Sequence, residues 1–490
     1  MNIGGLVAGL TNQTLGLDAE IVIKGLALDS RKIELGFVFI AVAGAEQHGL
    51  KYAQQVQKKG AVAIIYDSLG SDDFCLEAIE IPLVVVDGLT AKLGLLADRF
   101  YQSPSKRLDV IGITGTNGKT SCSQFLQQLL TDSGVIGTLG WGGSQSLNKT
   151  LNTTPDALAM QQILAEFVSM GKKAVVMEVS SHGLEQGRVN AVDFKGAVFT
   201  NLSRDHLDYH GSMGEYLQAK LLLFKRPELR FVVVNADQDC SNKVLSVVND
   251  TAKKWAFSIN GKKCAGAESI VAKEIKIGLS GIQFWLYWQN KQVLVESAIV
   301  GEFNVENILT VITVLLAQGY SLEYAVESVT TLTPVCGRME CFGGNKKPTV
   351  IVDYAHTPDA LEKVLLGLRK LSPQKLCLVF GCGGNRDKGK RQQMAVVAEQ
   401  LTDHFVMTND NPRFEDPQQI INDMVAGCKS NNHNVIENRE QAIRAMIKQA
   451  NKDDCIVIAG KGHEEYQDIK GVKHFFSDQA VVKQVLLEWA

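Results

Sequence analysis

Six consecutive residues, Gly115-Thr116-Asn117-Gly118-Lys119-Thr120, carry the most specific chemistry in the sequence. They follow a β-branched run, Val110–Thr114, and precede a run of helical period, Ser121–Leu130. Glycines let the backbone curl so that its N–H groups point at phosphate oxygens, and the N-terminus of the following helix adds positive potential. Lys119 can reach the β/γ-phosphates of a nucleotide, and the Thr120 hydroxyl can ligate Mg²⁺. The strict pattern G-x4-G-K-[ST] would need glycine at position 113, where Ile113 stands, so the motif is a shifted form. The competing reading is a Gly-rich turn with a solvated lysine.

Other unusual polar residues also follow apolar runs. Glu178, in MEVSSHG, ends the run Ala174–Glu178, and His206, in TNLSRDHLDYHG, follows Ala197–Thr200. A carboxylate at an apolar strand end is costly unless paired or metal-bound. Mg²⁺ asks for hard oxygen ligands and keeps several waters; a cap for the following turn is the alternative for Glu178. The His206/His210 spacing admits zinc, although no cysteine is near. Lys220 sits among leucines in EYLQAKLLLF. Burial would favour its neutral amine, which can add CO₂ to give a carbamate, an anionic metal ligand. Taken alone, the residues favour a snorkelling, solvated lysine.

Three further clusters lie in the last third. GCGGNRDKGKR, with Arg386, Lys388 and Arg391, follows Leu376–Phe380. Asn409-Asp410-Asn411-Pro412-Arg413 follows His404–Thr408, and Gly460-Lys461-Gly462-His463-Glu464 follows Cys455–Ala459. Each alone reads as a turn. Together they form a pocket for a zwitterion, with arginines for carboxylates and Asp410 and Glu464 for an ammonium group. The matching substrate is an amino acid with more than one carboxylate.

The elements that must position these groups are parallel α/β units. Runs at Phe37–Val42, Ala61–Tyr66, Leu83–Val86, Phe231–Asn235 and Thr349–Asp353 join those above, alternating with helix-period segments such as Ala360–Leu371; in open sheets of this kind ligands bind at the carboxyl ends of strands. From Asn249 to Val300 the text turns β-rich, with turn signals at Ile259-Asn260-Gly261 and Gly278–Gly281, and predicts an antiparallel insertion or edge in the middle domain. The 490 residues suit about three domains. Boundaries at Gln102–Ser105 and near Thr333-Pro334 divide the chain into 1–103, 104–334 and 335–490.

Composition narrows the function classes. With 50 basic and 53 acidic side chains the net charge is −3, so nothing pulls the whole chain toward nucleic acid or anionic membrane. Aromatics at 7% argue against a base-stacking platform. The longest apolar stretch, Ile308–Ala317, is about half of a membrane span. MNIGGLVAGLTNQT lacks the basic start of a signal peptide, and the ten scattered cysteines read as reduced thiols of a cytoplasmic protein.

In order along the chain, LDSR, GTNGKT, MEVSSHGL, TNLSRDHLDYHG, YLQAK, EFNVEN, GRME, DYAHTPDAL, GCGGNRDKGKR, DNPR and GKGHE resemble the Mur ligases of bacterial cell-wall synthesis. The resemblance spans about residues 28 to 464. It implies three α/β domains: a small N-terminal one that binds the UDP-sugar, a central P-loop-type domain with a mostly parallel sheet and a β-rich insertion that binds ATP, and a C-terminal Rossmann-like domain that binds the amino acid. It also implies an ATP-dependent, ADP-forming ligase of peptidoglycan synthesis. That ligase would join meso-2,6-diaminopimelate to UDP-N-acetylmuramoyl-L-alanyl-D-glutamate, act as a monomer, and use two Mg²⁺ ions. Gly115, Thr116, Asn117, Gly118, Lys119, Thr120, Ser121, Asn304, Asn307, Arg338 and Asp353 would serve ATP. Thr120, Glu178, His206 and Lys220 as its carbamate would serve the metal, with Lys119, Glu178, His206 and Lys220 catalytic. Leu28, Ser30, Asn152, Thr153, Thr154, Ser180, Gln186 and Arg188 would hold the UDP-sugar. Arg386, Asp410, Asn411, Pro412, Arg413, Gly460 and Glu464 would hold diaminopimelate.

Arg413 suits a distal carboxylate that lysine lacks, and a buried charge left unpaired rejects the wrong substrate. Two places depart from the family pattern: Asn385, where aspartate is common, and Ala45-Glu46-Gln47 in a first-domain loop. The rival readings are a ligase adding L-lysine, a folylpolyglutamate-synthase-like ligase, and a P-loop switch without ligase chemistry.

Overall fold

The computed structural model describes residues 1–44, 47–143, 146–278, 281–371 and 374–489. Ala45 and Glu46 of the departing loop, and Leu279 and Ser280 of the second turn signal, lie outside the described residues. By contact density the chain forms two compact units. The first comprises residues 1–114, 130–197 and 218–230; the second comprises 115–129, 198–217 and 231–490.

The first unit holds a four-stranded parallel sheet in the order β1 (Gly25–Ala27), β2 (Phe37–Ala41), β3 (Ala63–Tyr66), β4 (Leu83–Val85). Alternate side chains leave opposite faces of a strand. Val38, Ile40, Ile65 and Val84 therefore join Leu93 and Leu96 of the helix Leu89–Phe100, while Phe39, Ala41 and Ile64 meet Leu50, Ala53 and Val56. Strand β1 escaped the sequence reading because three residues show no period.

The same unit contains β5 (Asp109–Thr114), β6 (Ser133–Gly137), β7 (Gly140–Gly142), β8 (Leu147–Asn148) and β9 (Ala174–Glu178), beside β10 (Phe194–Phe199), whose residues divide between the units. The order is β10-β5-β9-β6-β7-β8. Strand β9 runs parallel to both β5 and β6 and is buried throughout, so its last residue, Glu178, is carried inside.

In the second unit, β10 leads to β11 (Phe231–Asn235), β12 (Lys253–Ser258), β13 (Glu268–Gly278), β14 (Gly281–Trp288) and β15 (Lys291–Ser297). The β-rich stretch forms an edge of the sheet, antiparallel in its last three strands and not before them. Strand β12 is parallel to β11, and the first residues of β13 pair parallel with β12; only β13-β14-β15 form an antiparallel meander. At eleven residues β13 is long enough to serve both neighbours.

The C-terminal sheet runs β16 (Glu340–Gly343), β17 (Thr349–Asp353), β21 (Cys455–Ala459), β18 (Leu376–Phe380), β19 (His404–Met407), β20 (His433–Val435), parallel except at the β16 edge. Helices Pro358–Arg369, Gly389–Leu401 and Pro417–Val425 cover one face, and Arg439–Gln449 and Asp478–Glu488 the other. A hairpin, β22 (Tyr466–Ile469) with β23 (Val472–Phe475), stands apart from it. Because β18, β19 and β21 are parallel, the polar segments after them leave the same edge of the sheet, where ligands bind in doubly wound folds. No helix among the described residues is long and apolar enough to cross a membrane, and all ten cysteines are unbridged.

The end of β21 is tied down by a buried ion pair. Arg439 Nε and Nη2 donate to the two Asp478 oxygens, both at 2.8 Å, and Nη2 also donates to the carbonyl of Ala459 at 2.9 Å. Both side chains are fully buried. Removing one partner of such a pair costs about 3–5 kcal/mol, whereas replacing both with apolar groups is often neutral. Arg439→Met should lower the denaturant-unfolding stability of the protein by that amount, and the double change Arg439→Met/Asp478→Leu should recover most of it; equal losses in both would sink this account.

Candidate active site

The loop after β5 is built by close backbone approach. A Cβ on Gly115 would lie 1.9 Å from Thr200 Oγ1, so only glycine fits there. Thr200 and Asn201 grip the loop: Thr200 Oγ1 donates to the Asn117 carbonyl at 2.7 Å, and Asn201 Oδ1 accepts from the Asn117 N–H at 2.8 Å. Thr116 N–H donates to the Asn201 carbonyl at 3.0 Å. Lys119, the first residue of the helix Lys119–Leu129, donates from Nζ to the Gly115 and Thr116 carbonyls at 2.8 and 2.9 Å. Its ammonium thus lies over the loop it would share with phosphate. Ser121 is buried in the first turn of that helix. Beneath the loop Asn307 Nδ2 donates to Asn304 Oδ1 at 2.7 Å, and Asn304 Nδ2 donates to the Val300 carbonyl at 2.7 Å. The two asparagines thus form a buried scaffold.

In the first unit Glu178 is fully buried. Its oxygens accept from Thr138 N–H at 2.8 Å and Thr138 Oγ1 at 3.0 Å, and Thr138 Oγ1 lies 3.0 Å from Thr153 Oγ1. Thr154 Oγ1 accepts from Ser180 N–H at 2.9 Å, and Arg188 Nη1 donates to the Thr154 carbonyl at 2.8 Å while its Nη2 donates to Gln186 Oε1 at 2.6 Å. Thr153, Thr154, Ser180, Gln186 and Arg188 therefore form one network around the end of β9. Asn152 is exposed beside it. Leu28 follows β1 and packs against the core of the four-stranded sheet, and Ser30 opens the 3₁₀ helix Ser30–Lys32, its carbonyl accepting from Lys59 Nζ at 3.1 Å. Lys220, in the helix Met213–Phe224, is 1% exposed, so the snorkelling reading fails: the ammonium end does not reach water.

His206 has a left-handed backbone (φ +54°), and its Nε2 lies 3.4 Å from Asp205 Oδ2. Among the described residues no three His, Cys, Asp or Glu side chains gather as a cage of the kind zinc takes. Mg²⁺ makes no such demand, being held by one or two carboxylates together with phosphates and waters. The Glu178 carboxylate and the Thr120 hydroxyl are hard donors of that kind.

Arg338 reaches the loop from the start of the C-terminal sheet. Its Nη2 donates to Thr120 Oγ1 at 3.3 Å, and its guanidinium lies 4.3 Å from the centroid of the Tyr354 ring. Its Nε is buried with no hydrogen-bond partner. Neighbouring Asp353 accepts from the N–H groups of Met339 and Ala355, both at 2.8 Å, and burial raises its pKa. Asp353 thus fixes the backbone on either side of Arg338 and Tyr354. The Tyr354 ring meets His356 at 4.6 Å and His463 at 5.1 Å. Burial pushes His356 down to about 4 and His463 down to about 3, with Lys390 and Arg338 respectively adding to the effect. Both imidazoles are neutral near pH 7 and add no charge.

His463 precedes Glu464 in the third pocket. Asn411 Nδ2 donates to Glu464 Oε2 at 2.8 Å, and Lys461 Nζ donates to Asn411 Oδ1 at 3.0 Å and to Glu464 Oε2 at 3.1 Å. Asp410 Oδ1 lies 3.8 Å from the same ammonium. Gly460 has φ +111°, and a Cβ there would sit 2.7 Å from Asp410 Oδ2. Arg413 donates from Nη1 to the Gly384 carbonyl at 2.7 Å. Its own left-handed backbone (φ +51°) is held by Arg413 N–H to the Asp468 carbonyl and Lys470 N–H to the Arg413 carbonyl. Pro412 is buried, while Arg386 is exposed, its Cγ 3.9 Å from where a Cβ on Gly383 would be. Asn385 also has φ +51°, which asparagine tolerates better than most residues, and its Oδ1 accepts from Phe414 N–H at 3.0 Å.

The sequence reading missed Thr200, Asn201, Tyr354 and Lys461. Thr200 and Asn201 stand just past the end of β10, and Lys461 one residue beyond Gly460, so position after a strand was a usable signal for these three. Tyr354 carried no signal, because an aromatic after a strand reads as core.

Three family descriptions match the chain: Mur ligase family, catalytic domain, over residues 22–101; Mur ligase middle domain over 113–315; and Mur ligase, glutamate ligase domain, over 337–462. A UDP-N-acetylmuramoyl-L-alanyl-D-glutamate–2,6-diaminopimelate ligase of Pseudomonas aeruginosa is 43% identical over 477 residues, 96% of each chain. One of Coxiella burnetii is 42% identical over 475 residues, 96% of this chain and 97% of its own. A solved structure of a ligase with the same name is 34% identical, has a TM-score of 0.70, and is matched over 100% of this chain and 99% of its own. The three family matches run from residue 22 to 462 and the likeness to these enzymes covers nearly the whole chain, so the protein belongs to the Mur ligase family.

Proposed function

We propose that the protein is an ATP-dependent amide-bond ligase of peptidoglycan synthesis. It adds meso-2,6-diaminopimelate to the D-glutamyl γ-carboxylate of UDP-N-acetylmuramoyl-L-alanyl-D-glutamate. The observation that carries this reading is a chain of contacts in the second unit. It runs from Thr120 through Arg338 and Tyr354 to His463, the chain neighbour of Glu464, so three side chains link the phosphate loop to the charged pocket. The buried Arg338 Nε without a partner supports a phosphate contact. We divide the labour among three domains, 1–103 for the UDP-sugar, 104–334 for ATP and 335–490 for the amino acid, in a monomer working in the cytoplasm.

A carboxylate and an ammonium do not condense unaided in water. The γ-carboxylate attacks the γ-phosphorus of ATP, the bond to the β–γ bridging oxygen breaks, and ADP leaves. The amine of diaminopimelate then attacks the acyl carbon, loses a proton, and expels inorganic phosphate. Protein groups position and neutralise rather than react. Lys119 leaves its loop carbonyls for the β/γ-phosphates, and Arg338 moves from Thr120 onto the nucleotide. Thr120, Glu178, His206 and a Lys220 carbamate would hold Mg²⁺, which would supply further charge neutralisation. Lys220 forms that carbamate when its neutral amine adds to CO₂ and releases a proton. Asp410 and Glu464 take the ammonium of the amino acid, and Arg386 and Arg413 its carboxylates.

Phosphate release dependent on sugar nucleotide should be strong with meso-diaminopimelate and weak with L-lysine. Arg413→Ala should narrow that preference by a factor on the order of 10²; an unchanged preference rules out Arg413 as the selector. Lys119→Ala should lower turnover by a factor on the order of 10³ while sugar-nucleotide binding, followed by calorimetry, persists; retained turnover removes its role. Lys220→Ala should be crippled and partly restored by added short carboxylic acids. Full activity without them excludes the carbamate.

A further inference from the structure

Lys461 is the most deeply buried lysine of the amino-acid pocket, with its side chain wholly shielded from solvent. Neither the activity nor the mechanism above uses it. Its ammonium touches three groups at once: Asn411 Oδ1 at 3.0 Å, Glu464 Oε2 at 3.1 Å and Asp410 Oδ1 at 3.8 Å. The Tyr466 ring closes the fourth side, with its centroid 5.5 Å from Nζ. A lysine aimed inward among carboxylates that are themselves meant for a substrate's ammonium presents a conflict, since one cation already stands where another is to bind.

The hydrogen-bond pattern resolves it. Glu464 Oε2 receives both Lys461 Nζ and Asn411 Nδ2, so both of these donors fall on one oxygen of the carboxylate, and the side chain keeps 17% exposure. Asn411 Oδ1 also accepts from Asp468 N–H at 3.0 Å, so the array is anchored to β22. Asp410 is held by Gln467 Nε2 on its carbonyl at 3.0 Å, and a Cβ on Gly460 would sit 2.7 Å from its Oδ2, so only glycine leaves that oxygen room. Without Lys461 the two carboxylates would repel and Glu464 would lose one of the two donors that set its rotamer.

We propose that Lys461 is a positioning residue for the incoming amino acid: it orients Glu464 and offsets the repulsion between Glu464 and Asp410, so that Glu464 Oε1 is presented to the substrate's ammonium. The proposal rests on the amino-acid site assigned above. Its alternative is a lysine that merely satisfies buried carboxylates, whose loss would weaken the whole domain alike.

The test is steady-state kinetics with all three substrates in the wild type, Lys461→Met, Lys461→Arg, Glu464→Gln and Lys461→Met/Glu464→Gln, with thermal unfolding alongside. Diaminopimelate-dependent phosphate release by the wild type checks the assigned site, and its absence overturns that reading whatever the variants do. Given that release, Lys461→Met should raise KM for diaminopimelate at least about tenfold, with KM for ATP and sugar nucleotide unchanged and kcat less affected. Lys461→Arg, which keeps the charge, should recover part of the loss. If Lys461→Met does not fold, Lys461→Arg should still raise KM for diaminopimelate alone, and the charge-balanced double variant should raise it little more than Glu464→Gln does by itself. An unchanged KM for diaminopimelate in a folded variant, or equal losses for all three substrates, overturns the proposal.

Discussion

A charge carried inside at the end of a buried strand is tolerated only where something neutralises or hydrogen-bonds it. That constraint organises this molecule. Strands β9, β17 and β21 are apolar along their length, and at or just beyond their carboxyl ends stand Glu178, Asp353 and Lys461. Each has a fixed set of partners: Thr138 for Glu178, the backbone N–H groups of Met339 and Ala355 for Asp353, and Asn411 with Glu464 for Lys461. Behind β21 the Arg439–Asp478 pair meets the same demand in the core. The expensive groups are thus concentrated along the edges where a parallel sheet leaves room for ligands.

The same economy explains why the chemistry assigned here depends on placement. His356 and His463 are held neutral by burial, far from the range in which a histidine shuttles protons near pH 7. The fixed cations Lys119, Arg338 and Lys461 are occupied by loop carbonyls, by Thr120, and by Glu464 with Asn411. Phosphoryl and acyl transfer need such preset charges more than they need acid–base groups.

Local backbone geometry serves the same end. Arg413 and Asn385 both adopt left-handed conformations, which few residues do without support. The support is visible: Arg413 is bridged to the β22–β23 hairpin through Asp468 and Lys470, and Asn385 is tied to Phe414 and, through its N–H, to Glu415. Glu415 in turn is held by Arg391, a wholly buried guanidinium that also grips Asp423. The loops proposed to select the amino acid are therefore as constrained as the strands that launch them.

Much of this was legible in the residue order. The α/β class and the phosphate loop could be read from apolar runs punctuated by polar clusters, because a buried parallel strand must be apolar and a phosphate loop must be glycine-rich whatever surrounds it. The motif order carried the family. Other features were decided only when distant segments met. Strand β12 proved parallel because register depends on neighbours, and Lys220 proved buried because snorkelling depends on what covers a helix. Lys461 became part of a pocket only when Asp410 and Asn411, some fifty residues earlier, were brought beside it. A sequence states which side chains are available, but the partner that neutralises a buried charge is chosen by the tertiary fold, since that interaction falls away within a few ångströms and has no signature along the chain.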